Sequence, residues 1–111
     1  MRITVIGAGP GGYTAAFDAA KRGAEVTLVE STWLGGTCLN CGCIPTKTLK
    51  SSAEALETIH RAQEFGIACE GTPSVDMPSV IARKRKVSAT LRGGLEKTCQ
   101  KLKVRVVMGH G

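Results

Sequence analysis

An α/β fold with a parallel sheet, interrupted after its second strand by a long helical insertion, is what the sequence predicts. Three observations carry that expectation. Arg2 to Ile6 is a short apolar run that opens directly into Gly7-Ala8-Gly9-Pro10-Gly11-Gly12. Glu25 to Val29 is a second such run, separated from the first by an alanine-rich stretch of helical character. Val104 to Met108 reads as a third strand, reached only after two long helical patterns. Strands that alternate with helices are the pattern of parallel sheets, whose connections must cross over.

Each element has its own justification. Pro10 suits the first turn of a helix, where its missing N–H costs nothing, and Tyr13 to Lys21 continues the helical pattern until Gly23 stops it. The second strand ends at Glu30. From Ile44 through Phe65 a helix is expected, with Leu49, Ala53, Leu56 and Ile59 at helical spacing and Gly66 as its stop. Gly71-Thr72-Pro73-Ser74 reads as a loop. A second long helix starts at Met77 or Pro78 and runs to about Lys101, with Val80, Val87, Leu91 and Leu95 as its stripe. Gly93-Gly94 weakens its middle. No internal repeat or low-complexity tract is present.

The first turn satisfies the G-x-G-x-x-G pattern in its full context of strand, glycine turn, helix, strand and acid. Gly7 allows the tight turn, Gly9 lets backbone approach a pyrophosphate, and Gly12 lets helix and strand pack closely. The helix N-terminus offers unpaired N–H groups to phosphate. Glu30, eighteen residues past Gly12, is placed to bond the ribose hydroxyls of an adenosine. The expected architecture is therefore Rossmann-like, and its ligand a dinucleotide; the turn alone does not choose between FAD and NAD.

The segment Gly35-Gly36-Thr37-Cys38-Leu39-Asn40-Cys41-Gly42-Cys43-Ile44-Pro45-Thr46-Lys47 is the most informative in the chain. For Cys38 and Cys43 to pair, an undistorted helix is unsuitable, because five steps climb about 7.5 Å and a disulfide needs Cα atoms within roughly 7 Å. A bent turn is required, which Gly42 and Pro45 can supply. Cys41 complicates the reading. It makes a C-x-x-C pair with Cys38 and a C-x-C pair with Cys43, so the trio can be read as a soft-metal site or as a thiol pair beside a small buried residue. A zinc site wants four ligands, which favours the buried reading.

That segment resembles the redox-active motif of the flavoprotein disulfide reductases, with Cys41 where Val is usual and Thr46 where Ser is usual. Softer similarity at Ala82-Arg83-Lys84, Lys86-Val87, Leu91, Gly93-Gly94-Leu95, Lys103-Val104 and Gly109-His110-Gly111 points within that group to the dihydrolipoamide dehydrogenase family. Glutathione and mercuric reductases share the two leading motifs and are the alternatives within that group; outside it, the alternative is a non-catalytic module that holds a nucleotide or a metal. The resemblance implies FAD, held by Gly7, Gly9, Pro10, Gly12, Glu30, Gly36, Thr37, Lys47 and Gly111. It implies a Cys38–Cys43 redox disulfide, Cys43 nearest the flavin and Cys38 exchanging with substrate, and Lys47 beside the flavin. It further implies NAD⁺ as co-substrate, a homodimer, helices packed partly against a partner subunit, and lipoamide or the lipoyl domain of an oxo-acid dehydrogenase complex as partner.

Length and composition bound these expectations. One hundred and eleven residues suffice for one modest domain. The family also needs an NAD-binding domain and a C-terminal dimerisation domain, so residues 1–111 are expected to be the leading part of the FAD-binding domain. By itself this part is expected to show no turnover. The strand starting at Arg2 leaves no room for a cleavable leader, and five cysteines without a secretion signal suit a reducing, cytoplasmic setting. No apolar run is long enough to span a membrane. The net charge of +6 is concentrated around Arg83-Lys84-Arg85-Lys86, Arg92, Lys97 and Lys101, but no nucleic-acid motif accompanies it, so a solvated helix face is expected. His60 and His110 are expected as surface or core histidines. Trp33 is expected near the cofactor, and Cys69 and Cys99 as helix-edge or core thiols.

Overall fold

The computed structural model describes residues 1–111. Strand β1 (Arg2–Ile6) leads through the glycine turn into α1 (Pro10–Lys21) and back into β2 (Glu25–Glu30). Two helices in close succession follow, α2 (Gly36–Asn40) and α3 (Cys43–His60), then a 3₁₀ turn over Ala62–Phe65. The long helix α4 (Met77–Lys101) returns the chain to β3 (Arg105–Met108). The strands form one parallel sheet in the order β1-β2-β3. Val5 lies opposite Leu28, and Leu28 opposite Val106.

The central strand carries the core. Along β2, Val26 and Leu28 are buried together with Ala16 of α1, Leu34, Cys99 of α4 and Val104. Alternation along β2 turns Thr27 and Val29 to the other face. Burial pushes the Cys99 thiol above its usual range, as expected for a packing residue rather than a reactive one. Most expected elements appear within a residue or two of their sequence bounds. The expected single helix to Phe65 instead ends at His60, and a 3₁₀ turn carries the chain to a left-handed Gly66.

Only part of α4 touches the sheet. The rest of it pairs with α3 as a hairpin, and the whole molecule measures 63 × 25 × 18 Å. Its radius of gyration is 19.4 Å, against about 13 Å for a compact domain of this length. Between α3, α4 and the preceding loop lies an open groove of about 760 Å³, lined by Leu49, Leu56, Ile59, Met77 and Val80 among others. The apolar stripes expected on both helices therefore exist, but Leu49, Ile59 and Leu91 are exposed. No helix is long and apolar enough to cross a membrane.

Asp76 caps α4, its carboxylate accepting from the Ser79 N–H; the Ser79 hydroxyl foremost, and then that N–H, hold the Asp76 carboxyl below its usual range. At the other end Val104 N–H donates to the Cys99 carbonyl, and Lys103 takes the left-handed conformation at φ 55°. That geometry suits glycine, since a side chain there costs about 1–2 kcal/mol. Lys103→Gly removes the strain and gives back part of it as unfolded-chain entropy. The variant is expected to be more stable by about 0.5–1 kcal/mol in urea unfolding.

Candidate functional site

The C-terminal ends of the three strands converge on Glu30. The Gly7 N–H donates to the Val29 carbonyl at 2.8 Å, and the Ala8 N–H donates to Glu30 Oε2 at 2.8 Å. The Thr32 N–H (2.9 Å), the Thr32 hydroxyl (3.2 Å) and the Ser31 hydroxyl (3.4 Å) donate to Oε1. The Gly109 N–H, just past β3, donates to the Glu30 carbonyl at 2.8 Å. Glu30 is 7% exposed. The Ala8 N–H foremost, and then the Thr32 N–H, hold its carboxyl below the usual range, outweighing the opposing effect of burial. The side chain that spacing directed at a ribose is thus engaged with donors of its own chain. It clamps the glycine turn to the end of β2.

Close backbone contact surrounds the clamp. A Cβ on Gly12 would run into the Gly7 carbonyl, so α1 packs on the turn only because that position is bare. A Cβ on Gly36 would sit 2.7 Å from the Gly9 Cα, and Gly36 has φ 63°. The Gly35 N–H donates to the Ala8 carbonyl at 2.8 Å. The loop carrying the thiols is therefore registered directly on the glycine turn. No side chain caps α1, and Pro10 occupies its first turn, so its leading N–H groups are left for an outside acceptor. Gly111 lies against the Ile6 side chain, across the strand ends.

Cys38 and Cys43 are joined in a disulfide with Cα atoms 4.6 Å apart. The distortion that their spacing demands is a complete break. Helix α2 ends at Asn40, Cys41 and Gly42 leave helical geometry, and α3 restarts at Cys43. Gly42, at φ −123° and ψ −101°, makes the joint, while Pro45 lies buried inside the first turn of α3. Cys43 is the first residue of that 18-residue helix. Lys47, one turn on, shares its face and is exposed, as is Thr37.

Several expectations need correction. Cys41 is free and exposed, not a buried replacement for Val, because it lies at the joint where neither helix covers it. Cys69 is exposed in the loop after Gly66, neither on a helix edge nor in the core. The basic face of α4 is not wholly solvated. Arg83 Nη1 donates to the Thr48 carbonyl at 3.1 Å, and Arg92 Nη1 donates to Asn40 Oδ1 at 2.6 Å. Trp33, 56% exposed, has the Arg92 guanidinium 5.4 Å from its ring centroid. His60 and His110 are exposed.

Asn40, Ser88 and Arg92 are the residues that the motifs did not single out. Asn40 Nδ2 donates to the Leu34 carbonyl (3.0 Å) and to the Gly36 carbonyl (2.8 Å). The buried Ser88 hydroxyl donates to the Leu39 carbonyl at 3.1 Å. Asn40 could have been noticed, as a polar residue inside the thiol segment. Nothing local marks Ser88 or Arg92, whose partners lie 49 and 52 residues away in sequence.

Residues 1–111 match the pyridine nucleotide-disulphide oxidoreductase family along their whole length. The chain is 47% identical over 107 residues to the dihydrolipoyl dehydrogenase of Chlamydia muridarum, covering 96% of this chain and 23% of that protein. It is 42% identical over 108 residues to the dihydrolipoyl dehydrogenase of Rhizobium etli, covering 97% and 22%. Among solved structures, the crystal structure of LpdA from Mycobacterium tuberculosis superimposes with a TM-score of 0.88 at 26% identity, over 99% of this chain and 24% of that one. The chain thus spans about a quarter of the length of the relatives it matches.

Glu30→Gln replaces one carboxylate oxygen with a donor that faces N–H groups. At neutral pH it is expected to cost about 2 kcal/mol in urea unfolding. Because the folded carboxyl is held below its ordinary value, the wild-type advantage is complete above about pH 4.3 and is lost as pH falls through the folded value. The gap between the two proteins should close in acid.

Proposed function

The chain belongs to the pyridine nucleotide-disulphide oxidoreductase family, and on that premise we propose that it is the FAD-holding and dithiol part of a dihydrolipoamide dehydrogenase. On this reading residues 1–111 form the leading part of the FAD-binding domain. One observation carries it: a Cys38–Cys43 disulfide seated on the first residue of α3, in a loop hydrogen-bonded to the glycine turn. The similarity to dihydrolipoyl dehydrogenases favours lipoamide over glutathione or mercuric ion as the substrate class.

The residues present fit a dinucleotide. The uncapped start of α1 leaves backbone N–H groups free for a pyrophosphate, and the bare Gly12 and Gly36 let α1 and the thiol loop pack tightly on the glycine turn beside it. Gly7, Gly9, Pro10 and Gly12 would surround that pyrophosphate. Glu30 would meet the adenosine ribose through Oε2, which accepts one bond in this structure and retains a lone pair. Gly36, Thr37, Lys47 and Gly111 would line the remainder. Bound FAD supplies a two-electron acceptor between the protein dithiol and NAD⁺.

The chain's own residues handle the sulfur chemistry. A dihydrolipoamide thiolate attacks Cys38 Sγ, forms a mixed disulfide and expels Cys43 as a thiolate. The second substrate thiol then attacks the substrate sulfur of that mixed disulfide, giving the cyclic disulfide and releasing Cys38. The substrate is oxidised by two electrons and the protein disulfide reduced to a dithiol. Cys43 is the better leaving group because the N-terminus of α3 stabilises its negative charge. We assign the apolar groove between α3 and α4 to a homodimer contact, and the lipoyl domain of an oxo-acid dehydrogenase complex as the substrate carrier. Three free cysteines beside one disulfide suit a reducing compartment, and we place the protein in the cytoplasm.

The test is flavin spectroscopy of the purified protein. FAD should bind, and dihydrolipoamide should bleach it. Cys38→Ser and Cys43→Ser should each retain flavin yet lose bleaching, while Gly12→Val should lose the flavin. A protein that takes up no FAD, or one whose flavin is bleached equally well without the cysteines, would sink the reading. Bleaching only by glutathione-linked thiols would move the substrate class.

A further inference from the structure

Helix α2 has five residues, too few to hold a helix by its own hydrogen bonds. It nevertheless carries Cys38, and its position decides whether that thiol faces Cys43. Its anchor is the Asn40 amide, which donates to the Leu34 and Gly36 carbonyls. An amide can bind those two acceptors only if its oxygen points away, toward another donor. Arg92 Nη1 supplies that donor at 2.6 Å. The same guanidinium lies over the ring of Trp33, which belongs to the loop leading into α2. One helical turn before Arg92, Ser88 holds the Leu39 carbonyl. Helix α4 thus grips two consecutive residues of α2 between the paired cysteines.

We propose that Arg92 is a positioning residue for the Cys38–Cys43 disulfide, acting through the Asn40 amide; this rests on the reading of that disulfide as the redox pair. With the arginine in place, the two thiols of the reduced state stay facing each other, and the effective concentration of one toward the other is high. Without it the Asn40 amide loses the partner that orients it, α2 loosens, and the dithiol is favoured over the disulfide.

The experiment is the thiol–disulfide equilibrium of the purified protein in dithiothreitol buffers, read by alkylation and mass of the peptide carrying Cys38 and Cys43. Arg92→Met is expected to shift the equilibrium toward the dithiol by roughly three- to tenfold. It should also raise acrylamide quenching of Trp33, the single tryptophan. Arg92→Lys, which retains a cationic donor for Asn40, should recover most of the shift. Arg83→Met, which removes the other arginine contact of α4, at Thr48, should leave the equilibrium unchanged. If Arg92 acts through Asn40, the Arg92→Met/Asn40→Ala double variant should be no worse than Asn40→Ala alone.

An unmoved equilibrium in Arg92→Met, an equal shift in Arg83→Met, or additivity in the double variant overturns the proposal. Should Arg92→Met fail to fold, Arg92→Ala, which also removes the donor and suits a helix interior, carries the decision: a shift supports it and none overturns it. Flavin uptake separates the two readings. Wild-type protein that binds no FAD but shows the Arg92 effect sinks only the flavoenzyme reading. Flavin bleached through the disulfide with no Arg92 effect sinks only this one.

Discussion

The Glu30 carboxylate stands at the end of β2, where three segments distant in sequence have to meet. A carboxylate buried there without donors would be strongly unfavourable. Its donors come from Ala8 in the glycine turn and from Ser31 and Thr32 in the following loop. Satisfying the charge therefore dictates the path of both. Once Ala8 is fixed, its carbonyl receives the Gly35 N–H, and the thiol segment is set against the turn. The Gly9–Gly36 approach follows from the same geometry, since a Cβ on Gly36 would run into the Gly9 backbone.

From that clamp the disulfide geometry develops. Pairing Cys38 with Cys43 requires the helix to break, and the break leaves α2 too short to stand alone. Its stability is provided from outside, by Ser88 and Arg92 of α4. The long insertion is thus more than a connection between β2 and β3. Its return helix reaches back to the loop that precedes it and closes a network through Leu34, Gly36, Leu39 and Asn40.

The far end of the hairpin obeys a different balance. There α3 and α4 pair with little else against them, and apolar side chains such as Leu49, Ile59 and Met77 remain exposed along the groove. Only 14 of 111 residues are buried, and half of them form the cluster where helices meet the sheet. Helical periodicity identifies an apolar face correctly, but burial depends on what lies opposite. For these stripes the covering surface is not part of the hairpin itself.

The parallel strands, the glycine turn, the bounds of α1 and α4, and the need for a bend between Cys38 and Cys43 were legible in the sequence. Those features depend on residues within a few positions of one another: φ freedom at Gly7, the missing N–H of Pro10, alternation along β2, and the climb of a helix over five steps. Tertiary structure alone decided the rest. The exposure of Cys41, the inward turn of Arg83 and Arg92 from a basic run, and the engagement of Glu30 with Ala8 depend on partners brought close by folding. A charged side chain reads as solvated until another segment supplies an acceptor at hydrogen-bond distance. No local pattern encodes that distance, because it is set by how α4 lies across α2 and how the loop lies on the turn.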